Sequence, residues 1–183
     1  MNFPKPLFDE VRANPVIAVL TLEDPAVAPD LAKALLGGGV RGVELTLRTP
    51  AALESLRRLK AAAPELILGA GTVLTPGQVL EVKAAGVAFA VSPGFNARVV
   101  RAAQEAGVPF APGVCTPSDI EGALELGCTL LKYFPAETSG GLKHLKNMAA
   151  PYLHLGVQFI PLGGLNEGNM LDYLGDPLIP AIG

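Results

Sequence analysis

One grammar recurs along this chain and limits its fold more than any other feature. Ala32-Lys33-Ala34-Leu35-Leu36-Gly37-Gly38-Gly39-Val40, Val82-Lys83-Ala84-Ala85-Gly86-Val87, Ala103-Gln104-Glu105-Ala106-Gly107-Val108 and Ala123-Leu124-Glu125-Leu126-Gly127-Cys128 each run helix formers into a glycine and then an apolar residue. Such a glycine ends a helix by taking the left-handed conformation, which turns the chain back toward a sheet. Thr49-Pro50, Thr75-Pro76 and Thr116-Pro117 supply the opposite end, a capping hydroxyl before a proline suited to the first helical turn. Strand candidates keep the same beat at 16–20, 42–46, 66–70, 88–91, 109–112, 129–132, 158–161 and 178–182. Their starts lie about 20 to 29 residues apart, and the runs are apolar on both faces, as buried parallel strands are. Eight strands alternating with helices predict an α/β fold, a (β/α)8 TIM barrel, with an open doubly wound sheet as the alternative. The 183 residues form one domain, 1–183, on this reading. The chain is shorter than the ~200 residues or more usual for the barrel. It stops inside the eighth strand with the eighth helix absent, so the expectation is a barrel truncated there, either trimmed or cut from a longer product.

Composition removes several classes of protein. Half the residues are hydrophobic and 17% are charged, the reverse of a disordered chain. A net charge of −3 argues against nucleic acid as a partner, so a small anion would have to be held by a few placed groups. The first fifteen residues scatter Lys5, Asp9, Glu10 and Arg12 and lack the apolar core of a signal peptide. The longest run without Asp, Glu, Lys or Arg, 147–166, is broken by prolines and glycines, so no membrane span is expected and the protein reads as cytoplasmic. Cys115 and Cys128 have no CxxC spacing and read as buried free thiols of a reducing compartment.

Barrels carry their chemistry at the carboxyl ends of the strands. In Val43-Glu44-Leu45-Thr46-Leu47-Arg48-Thr49, alternation turns Val43, Leu45 and Leu47 toward helices and Glu44, Thr46 and Arg48 into the barrel. A buried carboxylate needs a partner, either functional or a plain ion pair with Arg48 or a neighbouring strand. Thr129-Leu130-Leu131-Lys132-Tyr133-Phe134-Pro135 repeats the anomaly with opposite sign: of seven lysines, Lys132 alone sits among apolar and aromatic residues at a strand end. An amine stripped of water surrenders its proton more readily and becomes a nucleophile; the alternative is a simple salt bridge to Glu44. Gly69-Ala70-Gly71-Thr72 reads as a place where a ligand approaches the main chain, with the Thr72 hydroxyl beside it. Gly163-Gly164, after the seventh strand and before a helix, stands where barrels bind phosphate through backbone N–H groups. No metal-ligand spacing, Walker loop, dinucleotide fingerprint or GxSxG is present, and His144 and His154 read as surface or packing residues rather than metal ligands. The chemistry falls to a lysine and a carboxylate.

Val43-Glu44-Leu45-Thr46-Leu47-Arg48-Thr49, Gly69-Ala70-Gly71-Thr72-Val73-Leu74, Ser92-Pro93-Gly94, Pro112-Gly113-Val114-Cys115-Thr116-Pro117, Lys132-Tyr133-Phe134-Pro135-Ala136-Glu137 and Gly163-Gly164 occur in this order from about residue 15 onward. Together they resemble the family of 2-keto-3-deoxy-6-phosphogluconate (KDPG) and 4-hydroxy-2-oxoglutarate (KHG) aldolases. The resemblance implies a (β/α)8 barrel, usually a homotrimer, and a class I lyase that works without metal or other cofactor. It implies reversible cleavage of KDPG, a phosphorylated 2-keto acid, to pyruvate and glyceraldehyde 3-phosphate in the Entner-Doudoroff pathway of carbohydrate metabolism. Lys132 becomes the Schiff-base lysine, Glu44 the general acid/base, Arg48 and Thr72 the binders of the carboxylate and keto end. Phe134 lines the lysine's pocket, and Gly163 with Gly164 holds the phosphate. Two departures bear on that phosphate: Leu162 stands where the family usually has threonine, and the chain ends at Gly183, ahead of the family's Gly-Ser turn. An aldolase of KHG or another unphosphorylated 2-keto-4-hydroxy acid is therefore the alternative. A non-catalytic barrel serving as scaffold or assembly subunit is the alternative of another class.

Overall fold

A computed structural model describes residues 3–183. The strands and helices alternate: β1 (Ile17–Leu20), α2 (Ala28–Gly37), β2 (Gly42–Thr46), α3 (Ala52–Ala62), β3 (Ile67–Gly71), α4 (Pro76–Ala84), β4 (Phe89–Val91), α5 (Ala97–Ala106), β5 (Phe110–Ala111) with β6 (Gly113–Val114), α6 (Pro117–Glu125), β7 (Leu130–Tyr133), α7 (Gly141–Ala149), β8 (Gln158–Pro161) and α8 (Met170–Leu174). A helix ahead of all of them, α1 (Lys5–Ala13), has no counterpart in the sequence reading. Every strand pairing is parallel, in the orders β1-β2-β3-β4-β5 and β6-β7-β8.

Two seams close these sheets into a barrel. Lys132 N donates to Pro112 O (2.9 Å), which makes β5 and β6 one course bent at Pro112. A Cβ on Gly113 would stand 2.2 Å from Pro93 O, so only glycine lets the loop after β4 cross there. On the other side Phe159 N donates to Leu178 O, Ile17 N to Ile182 O and Ile182 N to Pro15 O, at 2.8 to 2.9 Å. Residues 178–182 thus occupy the eighth position through a single parallel bridge, Val16 to Ile182. The fold is the (β/α)8 barrel, and the open sheet is excluded by this closure.

Alternation divides the buried side chains into two cores. Val43, Leu45, Leu68, Leu131, Tyr133 and Phe159 pack outward against the helices. Ile17, Ile67, Phe89, Ala111, Leu130, Ile160, Leu162 and Ala181 fill the interior, joined by Val11 of α1 with Leu7 and Phe8 packed against them. A nine-residue helix does not hold by itself in water, so α1 owes its existence to this plug of the barrel's amino-terminal mouth.

The caps follow the sequence reading at two sites of three. Thr75 and Thr116 each form a full capping box with Gln78 and Asp119, worth ~1 kcal/mol apiece. Thr49 does not cap: its hydroxyl donates to Leu22 O (2.5 Å), tying the loop after β1 to the loop after β2, and α3 starts later, at Ala52, without a side-chain cap. Gly107 and Gly127 end α5 and α6 at φ 71 and 73, the left-handed turn the repeat requires. Cys128 is buried and its thiol is pushed up by desolvation, whereas Cys115 is only half-buried and its Sγ lies 3.1 Å from Ser139 Oγ.

Candidate active site

Glu44 and Lys132, 88 residues apart, meet inside the barrel, with Lys132 Nζ donating to Glu44 Oε1 at 2.8 Å. Both strands place them there by alternation, two residues above the apolar layer of Gly42 and Leu130. The Lys132 and Glu44 side chains are 7% and 3% exposed, so almost no water shares the contact. Removing one partner of such a pair leaves a buried charge, a cost of about 3–5 kcal/mol. The carboxylate has room only because β3 carries glycine beside it: a Cβ on Gly71 would stand 2.1 Å from Glu44 Oε1. Gly69 plays the same part for Phe89, whose ring atoms lie 2.2 to 2.7 Å from where its Cβ would be. These two glycines therefore admit side chains of the protein itself, which corrects their reading as openings for a ligand.

The rim carries the remaining candidates. Phe134, the first residue past β7, sets its ring centroid 5.3 Å from Lys132 Nζ, a distance at which an ammonium is attracted to the ring face. Glu44 and Thr46 point inward as expected, but Arg48 lies beyond the last residue of β2 and is exposed at the mouth instead of the interior. Its Nε donates to Thr72 Oγ1 (3.4 Å), and it pairs with no carboxylate among the described residues, so the Glu44–Arg48 ion pair does not form. Thr72 has φ 60, a conformation that costs a β-branched residue of order 1–3 kcal/mol and that aims its hydroxyl at Arg48.

Gly163 and Gly164 follow β8 at φ 98 and 87, both left-handed. Neither of their amides donates a hydrogen bond among the described residues. A Cβ on Gly163 would sit 3.4 Å from Phe134 Cε2, so this loop adjoins the ring over the lysine. No helix starts at the glycines: Asn166 and Asn169 donate their side-chain amides to Gly164 O (3.3 and 3.2 Å), and α8 begins only at Met170. Leu162 is buried in the interior core and offers the loop no hydroxyl.

Sequence reasoning gave no role to Thr21, Glu137 or Tyr173. Thr21 Oγ1 and Thr46 Oγ1 share a hydrogen bond of 2.7 Å at the ends of β1 and β2; alternation from Ile17 puts Thr21 on the inner face and would have found it. Tyr173 of α8 donates its hydroxyl to Glu137. Burial first, and that bond second, raise the phenol well above its ordinary range and keep it a donor. Wide cavities lie elsewhere, one of about 690 Å³ between α7 and α8 and one of about 450 Å³ between α4 and α5, and neither is lined by Lys132 or Glu44.

A proton passing along the 2.8 Å contact turns ammonium and carboxylate into amine and carboxylic acid without changing the net charge of the buried site. The amine so formed is a nucleophile toward a carbonyl, and the acid a proton donor beside it. Fold and site together describe a barrel equipped for lysine-and-carboxylate chemistry. The sequence model described as "Aldolase: KDPG and KHG aldolase" matches residues 8–183. The 2-dehydro-3-deoxy-phosphogluconate aldolase of Treponema pallidum (strain Nichols) is 42% identical over 177 residues, 97% of this chain and 83% of its own. The 2-keto-3-deoxy-6-phosphogluconate aldolase of Zymomonas mobilis ZM4, solved with 3-phosphoglycerate, superposes with TM-score 0.90 at 40% identity, covering 96% and 83% of the two chains. The KDPG aldolase of Legionella pneumophila, with pyruvate captured at low pH as a covalent carbinolamine intermediate, gives TM-score 0.89 at 39% identity over 97% and 84%. This chain belongs to the KDPG and KHG aldolase family.

Proposed function

We propose that this chain is a class I aldolase that cleaves KDPG reversibly to pyruvate and glyceraldehyde 3-phosphate through a Schiff base on Lys132. The observation that carries the reading is the water-poor 2.8 Å contact of Lys132 with Glu44 at the carboxyl end of the barrel. Glu44 takes the ammonium proton, and the free amine adds to the C2 carbonyl to give a carbinolamine. The protonated Glu44 returns its proton to the departing hydroxyl, which leaves as water and yields an iminium ion. Glu44, again a carboxylate, accepts the C4 hydroxyl proton directly or through a water as the C3–C4 bond breaks. That bond's electron pair flows into the iminium, the aldehyde leaves, and an enamine remains. Protonation at C3 by Glu44 and hydrolysis of the imine release pyruvate and restore Lys132. The iminium is the electron sink. Arg48, with Thr72 beside it, holds the substrate carboxylate, and the Gly163 and Gly164 amides hold the phosphate. The covalent carbinolamine in the Legionella pneumophila relative supports a nucleophilic amine at this site.

Leu162 favours a second reading, in which KHG or another unphosphorylated 2-keto-4-hydroxy acid is the better substrate, because it removes one hydroxyl from the phosphate's surroundings. Pyruvate release, followed by coupled reduction to lactate, tests both: kcat/KM for KDPG above that for KHG supports the first reading and the reverse supports the second. Turnover of neither, by a chain that still assembles, would leave the scaffold reading standing. We take the chain to work as a homotrimer of the cytoplasm and as a single barrel domain, which sedimentation and limited proteolysis check. Among the described residues no helix is long and apolar enough to cross a membrane.

A further inference from the structure

The loops after β7 and β8 are bonded to each other beyond what sheet pairing requires. Ala136 N donates to Leu162 O (2.7 Å) and Glu137 N donates to Gly163 O (3.0 Å). The Glu137 side chain then lies over the second glycine, where a Cβ on Gly164 would stand 2.7 Å from Glu137 Cβ. Its carboxylate accepts the hydroxyl of Tyr173, itself 2% exposed, and a Cβ on Gly141, the first residue of α7, would stand 3.5 Å from the Tyr173 oxygen. Glu137 makes no ion pair among the described residues. A carboxylate next to a loop that receives phosphate repels the ligand, so attraction does not account for its presence. Geometry does, since one residue joins both loops to α8 and lies against the first residue of α7.

We infer that Glu137, anchored by Tyr173, is a positioning residue that holds the Gly163–Gly164 loop in its left-handed shape and thereby sets the enzyme's affinity for a phosphorylated substrate without touching it. The inference rests on the reading of Gly163 and Gly164 as the phosphate holders. Tyr173→Phe removes the anchor's donor, whereas Glu137→Gln keeps an oxygen that accepts it and discards the charge. In Tyr173→Phe, KM for KDPG and Ki for inorganic phosphate rise about tenfold, a change of ~1.4 kcal/mol. The kcat on KDPG and the kcat/KM on KHG, which has no phosphate, stay at wild-type values. In Glu137→Gln, with the acceptor kept and the repulsion gone, KM for KDPG and Ki for inorganic phosphate do not rise, and a rise in either overturns the inference. Equal losses on KDPG and KHG in Tyr173→Phe overturn the inference, because an ordinary packing role damages both, and so does a Tyr173→Phe protein with unchanged phosphate affinity. Calorimetric titration with inorganic phosphate reads the same tenfold loss of affinity without turnover. A wild-type chain that turns over KHG but binds no phosphate overturns the inference and the phosphate loop together while leaving the Lys132 chemistry intact.

Discussion

Gly71→Ala changes one methyl group and displaces the pair on which the chemistry depends. The new Cβ would stand 2.1 Å from Glu44 Oε1, 2.8 Å from its Cδ and 2.9 Å from its Cγ, whereas ordinary contact begins at 3.4 Å. The carboxylate must retreat by about 1.3 Å, the difference between contact and overlap. A side-chain end exposed to water would yield cheaply; this one is 3% exposed and already bonded to Lys132. Retreat stretches the 2.8 Å bond past hydrogen-bonding range, and a misplacement of ~1 Å in a catalytic group costs about 100-fold in rate. The overpacking itself costs ~1–3 kcal/mol of stability. The assay is steady-state pyruvate release beside thermal unfolding: kcat falls about 100-fold while the protein still melts cooperatively a few degrees lower. A Gly71→Ala enzyme with wild-type kcat would refute the reasoning, because Glu44 would then have no required position.

Gly69→Ala is the companion that separates packing from chemistry. Its Cβ meets the Phe89 ring, not Glu44, so Tm falls by several degrees while kcat of the folded enzyme is kept, as melting and pyruvate release will read. Thr72→Gly relieves the backbone strain at φ 60 and deletes the hydroxyl that accepts from Arg48; KM for KDPG rises about tenfold and Tm does not drop by more than a degree or so. Asp176 gives a pH signature. Burial alone would raise its carboxyl, but the Lys146 ammonium at 2.8 Å and the Leu178 amide outweigh burial and hold it below the ordinary value of 3.8. A depressed folded pKa adds stability above the unfolded value that is lost as pH falls through the folded one. The Tm deficit of Asp176→Asn is therefore full at neutral pH and closes below about pH 4, in melts recorded across that range.

What the sequence disclosed and what it hid divide along the distance over which residues act. The glycine repeat and the threonine–proline caps act within a few residues, so the eight strand positions were readable from them. Period-two alternation put Glu44 and Lys132 on inner faces without any knowledge of which strand stood opposite. That the two touch is a property of barrel closure, across 88 residues, and no local pattern encodes it. Thr49 failed as a cap because Leu22 O, on a different loop, claims its hydroxyl. Gly69 and Gly71 were misread for the same reason: the groups that fill their missing side chains, Phe89 and Glu44, come from neighbouring strands. The helix α1 was overlooked because its charges resemble a free terminus, although Leu7, Phe8 and Val11 already share one helical face.

Borohydride reduction in the presence of pyruvate, followed by peptide mass mapping, addresses the nitrogen at position 132 most directly. The expected result is a single addition, pyruvic acid less one oxygen atom, on the peptide that contains Lys132, and none on the Lys132→Ala protein. Label on Lys143 or Lys146 instead, or a wild-type chain that stays unmodified at saturating pyruvate, contradicts the account.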